Sequence, residues 1–154
     1  MTFHIITLFP EVFDAYFKES IIGKAITKRL IKVKFYDLRD FSKDKKRKKV
    51  DYKAYGGGPG MVLSVEPIVR AIEKAIARQT FSRGKKNAKI ILLAPGGKRF
   101  DNKIAKNLTK YKDVVLIAGR YEGVDERIKK IFSAKGGSAS GGKVEEISIG
   151  PYVL

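Results

Sequence analysis

Cysteine is absent from the 154-residue chain, and its absence removes disulfides, thiolate metal sites and cysteine nucleophiles together. Such a composition is compatible with a cytosolic protein. Histidine occurs once, at His4, so no histidine metal cluster can be built. Lying in an apolar stretch, His4 reads as a packed or surface side chain rather than a catalyst. No segment approaches the roughly 18 consecutive apolar residues of a spanning helix, and no long basic amphipathic helix stands alone to lie on a membrane. The start, Met1-Thr-Phe-His-Ile-Ile-Thr-Leu-Phe-Pro10, lacks the basic leader, long apolar core and small-residue cleavage site of a signal peptide, and reads as a first strand. Acidic residues are few, 16 against 33 lysines and arginines, a formal charge of +17. That imbalance points to a polyanionic partner, and nucleic acid fits better than a membrane; the solubility that lysine confers is the alternative explanation.

With 44% hydrophobic residues, the chain is long enough for one ordinary core, so a single domain over residues 1–154 is expected. Phe3–Phe9 is a short strand stopped by Pro10, and Pro10-Glu-Val-Phe-Asp14 opens a helical pattern with proline in a favoured first-turn position. Within Ile21–Leu30 the apolar residues Ile22, Ala25, Ile26 and Leu30 recur at helical spacing, while Ile31–Asp37 alternates as a half-buried strand does. From Arg39 to Met61 periodicity is lost among lysines and glycines, which reads as one long loop. Val65–Ala77 restores it, with Val65, Ile68, Val69, Ile72, Ala75 and Ile76 on one helix face and Ser64 as its N-cap.

Gln79–Asn87 is polar and basic. Ala88–Leu93 and Val114–Ala118 are continuous apolar runs, the pattern of strands covered on both faces. Between them Asp101–Lys110 offers a helix with an acidic start and a basic end, which suits its dipole. Alternating strands and helices predict an α/β fold with a mainly parallel sheet and flanking helices. Lys135–Lys143 is a Gly/Ser tether, Val144–Ile149 a further strand, and the apolar Gly150-Pro-Tyr-Val-Leu154 reads as the point where a longer protein is cut.

Four glycine-containing stretches stand out. Tyr55, Gly56, Gly57, Gly58, Pro59, Gly60 and Met61 form a loop in which main-chain amides can approach a ligand; it is no phosphate loop, since the Gly-Lys-Ser/Thr ending is missing, and a featureless surface loop is the plain alternative. Ala118-Gly-Arg-Tyr-Glu-Gly-Val-Asp-Glu-Arg127 follows an apolar strand, the place where ligands collect in open α/β sheets. There Arg120 supplies a donor fork and Glu122 a carboxylate, while Glu126 and Arg127 form a site or a solvated helical pair. Leu93-Ala-Pro-Gly-Gly-Lys-Arg99 and Ser148-Ile-Gly-Pro-Tyr-Val-Leu154 are turns at the same kind of strand end. The run Lys43, Lys45, Lys46, Arg47, Lys48 and Lys49 around Asp44 is either a solvated loop or a phosphate contact.

In chain order these stretches carry a resemblance. From Ile5-Ile-Thr-Leu-Phe-Pro-Glu-Val-Phe13, through the loop at Tyr55–Met61 and Gly119–Arg127, to Ser148–Leu154, the chain resembles the TrmD-type tRNA (guanine-N(1))-methyltransferases of the SPOUT class over nearly everything except the tether. The resemblance implies a trefoil knot, complete or not, whose three loops match Leu92–Gly97, Gly119–Gly123 and Ser148–Leu154 and bind S-adenosylmethionine. It implies cofactor contacts from Leu92, Leu93, Gly119, Tyr121, Gly123, Ile149, Gly150, Pro151, Tyr152, Val153 and Leu154. Arg120 and Glu122 would face the guanine or a Mg2+ ion, with Tyr55–Met61 bordering the pocket and no metal ligands assigned.

The same resemblance implies a cytoplasmic homodimer acting on the tRNA guanine 3′ of the anticodon. It puts the general-base aspartate and a C-terminal tRNA-binding domain beyond Leu154, so residues 1–154 alone would bind cofactor weakly and transfer little methyl. Tyr52 and Ala54 stand where the family usually carries an aspartate and a proline. Because the methyl donor is already activated, such an enzyme must align donor and acceptor, exclude water and take a proton from the ring nitrogen, with the guanine drawn out of its stack. The alternative is an RNA-binding relative without catalysis, which cofactor binding would distinguish; another kind of nucleotide-binding protein is disfavoured by the missing phosphate fingerprint.

Overall fold

All five strands of the main sheet run the same way. The computed structural model describes residues 1–53, 59–76, 88–134 and 143–152. The expected polar segment Gln79–Asn87, the glycines Gly56–Gly58 with Tyr55, most of the Gly/Ser tether, and Val153 and Leu154 lie outside the described residues. The chain runs β1 (Thr2–Thr7), a 3-10 turn (Pro10–Phe13), α1 (Asp14–Lys18), α2 (Ser20–Thr27), β2 (Lys32–Asp37) and a second 3-10 turn (Leu38–Phe41). It continues with β3 (Asp51–Lys53), β4 (Met61–Leu63), α3 (Val65–Ile76), β5 (Ala88–Arg99), α4 (Asn102–Leu108), β6 (Asp113–Ile117), α5 (Arg127–Ala134) and β7 (Val144–Ser148). Strand order in the sheet is β2-β1-β6-β5-β7, and every neighbouring pair is parallel.

The α/β expectation therefore holds, and the physical reason is visible in the burial. Val114, Val115 and Ile117 of β6 and Ile90, Ile91 and Leu92 of β5 are all buried, as central strands with layers on both faces must be. On one face α3 presses Ile68, Ala71, Ile72, Ala75 and Ile76 into a core shared with Ile6, Ile90, Val115 and Ile128. On the other, α4 places Ile104 against Ile91, Val114 and Ile147; the carboxylate of Asp101 caps that helix by accepting from Ile104 N at 2.7 Å. His4 is the packed residue its setting predicts. Its Nε2 is hydrogen-bonded to Asp113 Oδ1 at 2.8 Å and its Nδ1 to the Tyr36 hydroxyl at 3.0 Å, and it thereby ties β1 to β6 and β2.

Several expectations need correction. Arg39–Met61 is not one structureless loop: a 3-10 turn opens it, and Asp51–Lys53 pairs antiparallel with Met61–Leu63. Three-residue strands carry too little alternation to be recognised in sequence. Leu93–Arg99 is not a terminal turn either, because β5 resumes its pairing with β7 beyond it. Ile147 is the register partner of both Leu93 and Lys98, so Ala94–Gly97 bulge out between them. A Cβ on Gly97 would stand 2.7 Å from the backbone of Glu146 and Ile147, which is why only glycine suits that crossing. Leu30, assigned to a buried helix face, lies past the end of α2 and is 66% exposed.

The face of the sheet that α4 covers is covered at one end only. At the other, Ile5, Leu116, Phe13, Phe17 and Tyr121 line an open apolar groove of about 790 Å³. Among the described residues Val12, Tyr16 and Ile21 also stand exposed on the neighbouring helical segments. Replacing fully buried Ile72 with alanine is expected to cost about 2–5 kcal/mol in urea unfolding. Leu30→Ala, at a side chain 66% exposed, should change stability by less than about 0.5 kcal/mol; similar losses at both positions would contradict this assignment of the core.

Candidate functional site

A parallel sheet sends the carboxyl ends of its strands to one edge, and adjacent strands lie about 4.8 Å apart. The segments leaving β6 and β7 and the bulge within β5 are therefore neighbours by construction. They enclose a cavity of about 300 Å³, lined by Leu92, Leu93 and the Ala94–Gly96 bulge, by Gly119, Arg120, Glu122 and Gly123, and by Ile149, Gly150 and Tyr152. Size and mixed lining suit a small organic ligand. Three stretches singled out separately in the sequence thus line one space.

Two expected cofactor residues fall elsewhere. Tyr121 lines the apolar groove on the far side of the same loop rather than the cavity, and Pro151 is exposed and not part of the lining. Tyr121 has φ +62°, a left-handed conformation unusual for a side chain of its size, and Gly123 has φ +129°. Along this loop Glu122 lines the cavity, Tyr121 lines the groove, and Arg120 borders both. Burial first, and then the negative charge of Asp51, push the Tyr121 phenol above its ordinary pKa.

Charge in the cavity is arranged by contacts that the sequence did not reveal. The Arg120 guanidinium sits 4.6 Å from the Phe9 ring centroid, with Arg39 on the same ring at 5.1 Å. Glu126 and Glu146 also line the cavity, joined through Lys129, whose Nζ lies 2.8 Å from one carboxylate and 3.1 Å from the other. Hydrogen bonds to Glu126 first, then to Glu146, raise the Lys129 pKa. Glu126 is thus paired with Lys129 and not, as a helical pair, with Arg127. Among the described residues no three His, Asp or Glu converge to hold a metal ion, so they supply no cage for Mg2+.

The cavity wall is fastened from outside by the small hairpin. Leu63 N donates to Gly123 O and Asp125 N to Leu63 O, both at 3.1 Å, and Glu122 N donates to Met61 O at 3.1 Å. Gly60, at φ +106°, lies against the Glu122 side chain. So Gly60 and Met61, expected at the pocket's border, act on it through Glu122; Pro59 is exposed, and Tyr55–Gly58 are outside the described residues.

Asp125 is the functional-looking residue that sequence reasoning passed over. It is 6% exposed, accepts from the Tyr52 hydroxyl at 2.5 Å, and takes Arg127 N at 2.9 Å together with the Arg127 guanidinium. An aspartate two residues ahead of a helix is a capping signal, and that would have found it. The Arg127 hydrogen bonds, against the opposing cost of burial and with help from Tyr52, hold its carboxyl at about 2 instead of 3.8. A depressed folded-state pKa stabilises above the unfolded value and is lost as pH falls through the folded one. Asp125→Asn should lower the unfolding free energy by roughly 2 kcal/mol at neutral pH, an upper figure because half-exposed Arg127 is screened. In urea titrations the gap from wild type should close as pH drops through 3.8 towards about 2, and a gap that does not change with pH would refute the ion-pair account.

A family model described as tRNA (Guanine-1)-methyltransferase TrmD matches residues 1–154. Among similar curated proteins, the tRNA (guanine-N(1)-)-methyltransferase of Dictyoglomus turgidum is 46% identical over 150 residues, covering 97% of this chain and 53% of its own. Those of Clostridioides difficile and Persephonella marina are 41% and 39% identical over the whole chain, which covers 60% and 54% of them. The chain spans a little over half the length of these relatives. With its all-parallel sheet, its strand-end cavity and a match along its full length, this chain belongs to the TrmD tRNA (guanine-1)-methyltransferase family.

Proposed function

We propose that this protein is a tRNA (guanine-N(1)-)-methyltransferase that binds S-adenosylmethionine in the strand-end cavity and methylates the guanine 3′ of the anticodon. The observation that carries the reading is the convergence of Leu92–Gly96, Gly119–Gly123 and Ile149–Tyr152 on one cavity. Fit to the donor is supported by chemistry: Leu92, Val124 and Ile149 offer apolar surface for a purine, while Glu122 and the Glu126–Lys129–Glu146 cluster, two carboxylates sharing one ammonium, offer net negative charge towards a cationic sulfonium. Bound there, S-adenosylmethionine would supply a methyl group already activated for transfer. The lining residues hold it in one orientation and keep water out, which is the larger part of what such a transfer requires.

Arg120, steadied against Phe9, is positioned to donate to the guanine carbonyl oxygen, where charge grows as the ring nitrogen loses its proton. Glu122 borders the same side of the cavity and has Met61 as its backbone anchor. The proton acceptor is assigned by the resemblance to an aspartate outside residues 1–154. We also assign the trefoil knot to the three converging segments, supported by the close crossing of Gly97 over the β7 backbone. Residues 1–154 then form the cofactor-binding domain of a cytoplasmic enzyme.

A second copy of the chain is the partner we assign to the open apolar groove. Its support is continuity: the half of the sheet face that α4 leaves bare, lined by Ile5 and Leu116, adjoins exposed Val12, and Tyr16 and Ile21 stand exposed on the neighbouring helices. The no-longer-apolar variant Val12→Asp/Ile21→Asp should sediment as a monomer where wild type sediments as a dimer; a monomeric wild type would dismiss the assignment.

Gly119→Val tests the cofactor site. A Cβ at that position would stand 3.3 Å from Val124 Cγ2, and the remaining methyl groups would reach into the cavity. Calorimetry with S-adenosylmethionine should show the variant's affinity reduced at least about tenfold, a loss of roughly 1.4 kcal/mol. Equal affinity in the two proteins, or no heat with wild type, would defeat the proposal and favour an RNA-binding protein without catalysis.

A further inference from the structure

We infer that the Lys43–Lys49 turn is a docking surface for RNA phosphates, separate from the cavity; this rests on the methyltransferase reading and names how its RNA is held. Six of the seven residues are cationic, and all seven are exposed. A run of like charges that served solubility alone would repel itself and extend. This one is folded into a turn. Its single acid, Asp44, is used internally: Oδ1 accepts from Lys46 N at 3.1 Å and Arg47 N at 2.9 Å, and its carbonyl accepts from Lys48 N at 2.7 Å. Buried Ser42 closes the other side by donating to Lys49 O at 2.5 Å. Lys48 takes a left-handed φ of +49° to fit.

Neutralisation within the chain is incomplete. Glu66 takes Lys43 at 2.7 Å and Asp40 takes Lys48 at 3.4 Å, while Lys45 reaches only the Asp40 carbonyl. Lys46, Arg47 and Lys49 meet no carboxylate among the described residues. With Lys45, four cations without a carboxylate among the described residues are thus gathered on one turn, in a chain of charge +17. Such an arrangement is repulsive until a polyanion lies across it.

Placement favours RNA. The turn follows β2 and its 3-10 turn, so it leaves the sheet at the same carboxyl-terminal edge as the cavity. Immediately after it, Val50 is buried and accepts from Ser64 N at 2.8 Å, and Asp51–Lys53 pairs with the strand that fastens Glu122 to Asp125. One hairpin therefore joins the cationic turn to the wall of the cavity. A membrane is the poorer match, since the run offers no apolar side chain to insert.

The test is a charge reversal, Lys46→Glu/Arg47→Glu/Lys49→Glu, against a control with the same change in net charge, Lys103→Glu/Lys106→Glu/Lys110→Glu, at exposed positions on and just after α4. Binding of a tRNA transcript is measured across salt concentrations, and S-adenosylmethionine binding by calorimetry on the same proteins. Each phosphate contact contributes about 0.7–0.9 to the slope of log affinity against log salt, so the turn variant should flatten it by about 2 and lose at least about 30-fold in affinity at low salt. The control should lose only a few-fold and keep its slope. Slopes and losses alike in the two variants would overturn the inference, as would a turn variant that binds tRNA normally but no longer binds phosphatidylserine vesicles. If wild type gave no S-adenosylmethionine heat, the cofactor reading would fail while the RNA titrations still decided the turn.

Discussion

Parallel strand direction is the constraint on which the site depends. Because β6, β5 and β7 are neighbours and share one direction, the segments that follow β6 and β7 must emerge beside the bulge in β5. No long-range side-chain pairing is required to bring Leu92, Gly119 and Ile149 together; the backbone ladder does it. The core that makes the ladder rigid is ordinary, an α3 face of Ile68, Ile72 and Ile76 against Ile90 and Val115. Its consequence is local: the loops that leave it can be short, glycine-containing and strained, since their ends are held fixed.

That strain falls on Tyr121, while Gly123 takes a positive φ that glycine accepts without it, and the hairpin β3–β4 is what holds the segment in place. Three backbone hydrogen bonds run between Met61 or Leu63 and the Glu122–Asp125 segment, and the Asp125 carboxylate adds Tyr52 on one side and Arg127 on the other. A buried carboxylate with its partners satisfied locks the local geometry. Cavity shape, hairpin position and the start of α5 are consequently one mechanical unit. The cationic turn before β3 adjoins that unit through the same hairpin.

Most of the fold was legible in the sequence because its signals were strong. Ala88–Leu93 and Val114–Ala118 are uninterrupted apolar runs, and Val65–Ile76 keeps one buried face over three turns, so neither depends on tertiary context. The ends of β6 and β7 were legible too, through the glycines that follow Ala118 and Ser148, whereas the break after Leu93 proved to be a bulge inside β5. What escaped notice was set by contacts between distant segments. The ladder of Asp51–Lys53 with Met61–Leu63 is too short to have a period, and the return of Lys98 to Ile147 after the bulge depends on β7, which lies far along the chain. Tyr52 looked like a departure from the family pattern, yet its hydroxyl is the Asp125 partner. The direction of Tyr121, away from the cavity its neighbours line, follows from a single left-handed φ that no residue pattern announces.

Hydrogen–deuterium exchange with and without S-adenosylmethionine would test the central claim most directly. The account predicts that added ligand slows exchange together in peptides covering Leu92–Gly97, Gly119–Asp125 and Ser148–Tyr152, and leaves α4 unchanged. Protection confined to one of those segments, or appearing at the β2 edge of the sheet instead, would contradict it.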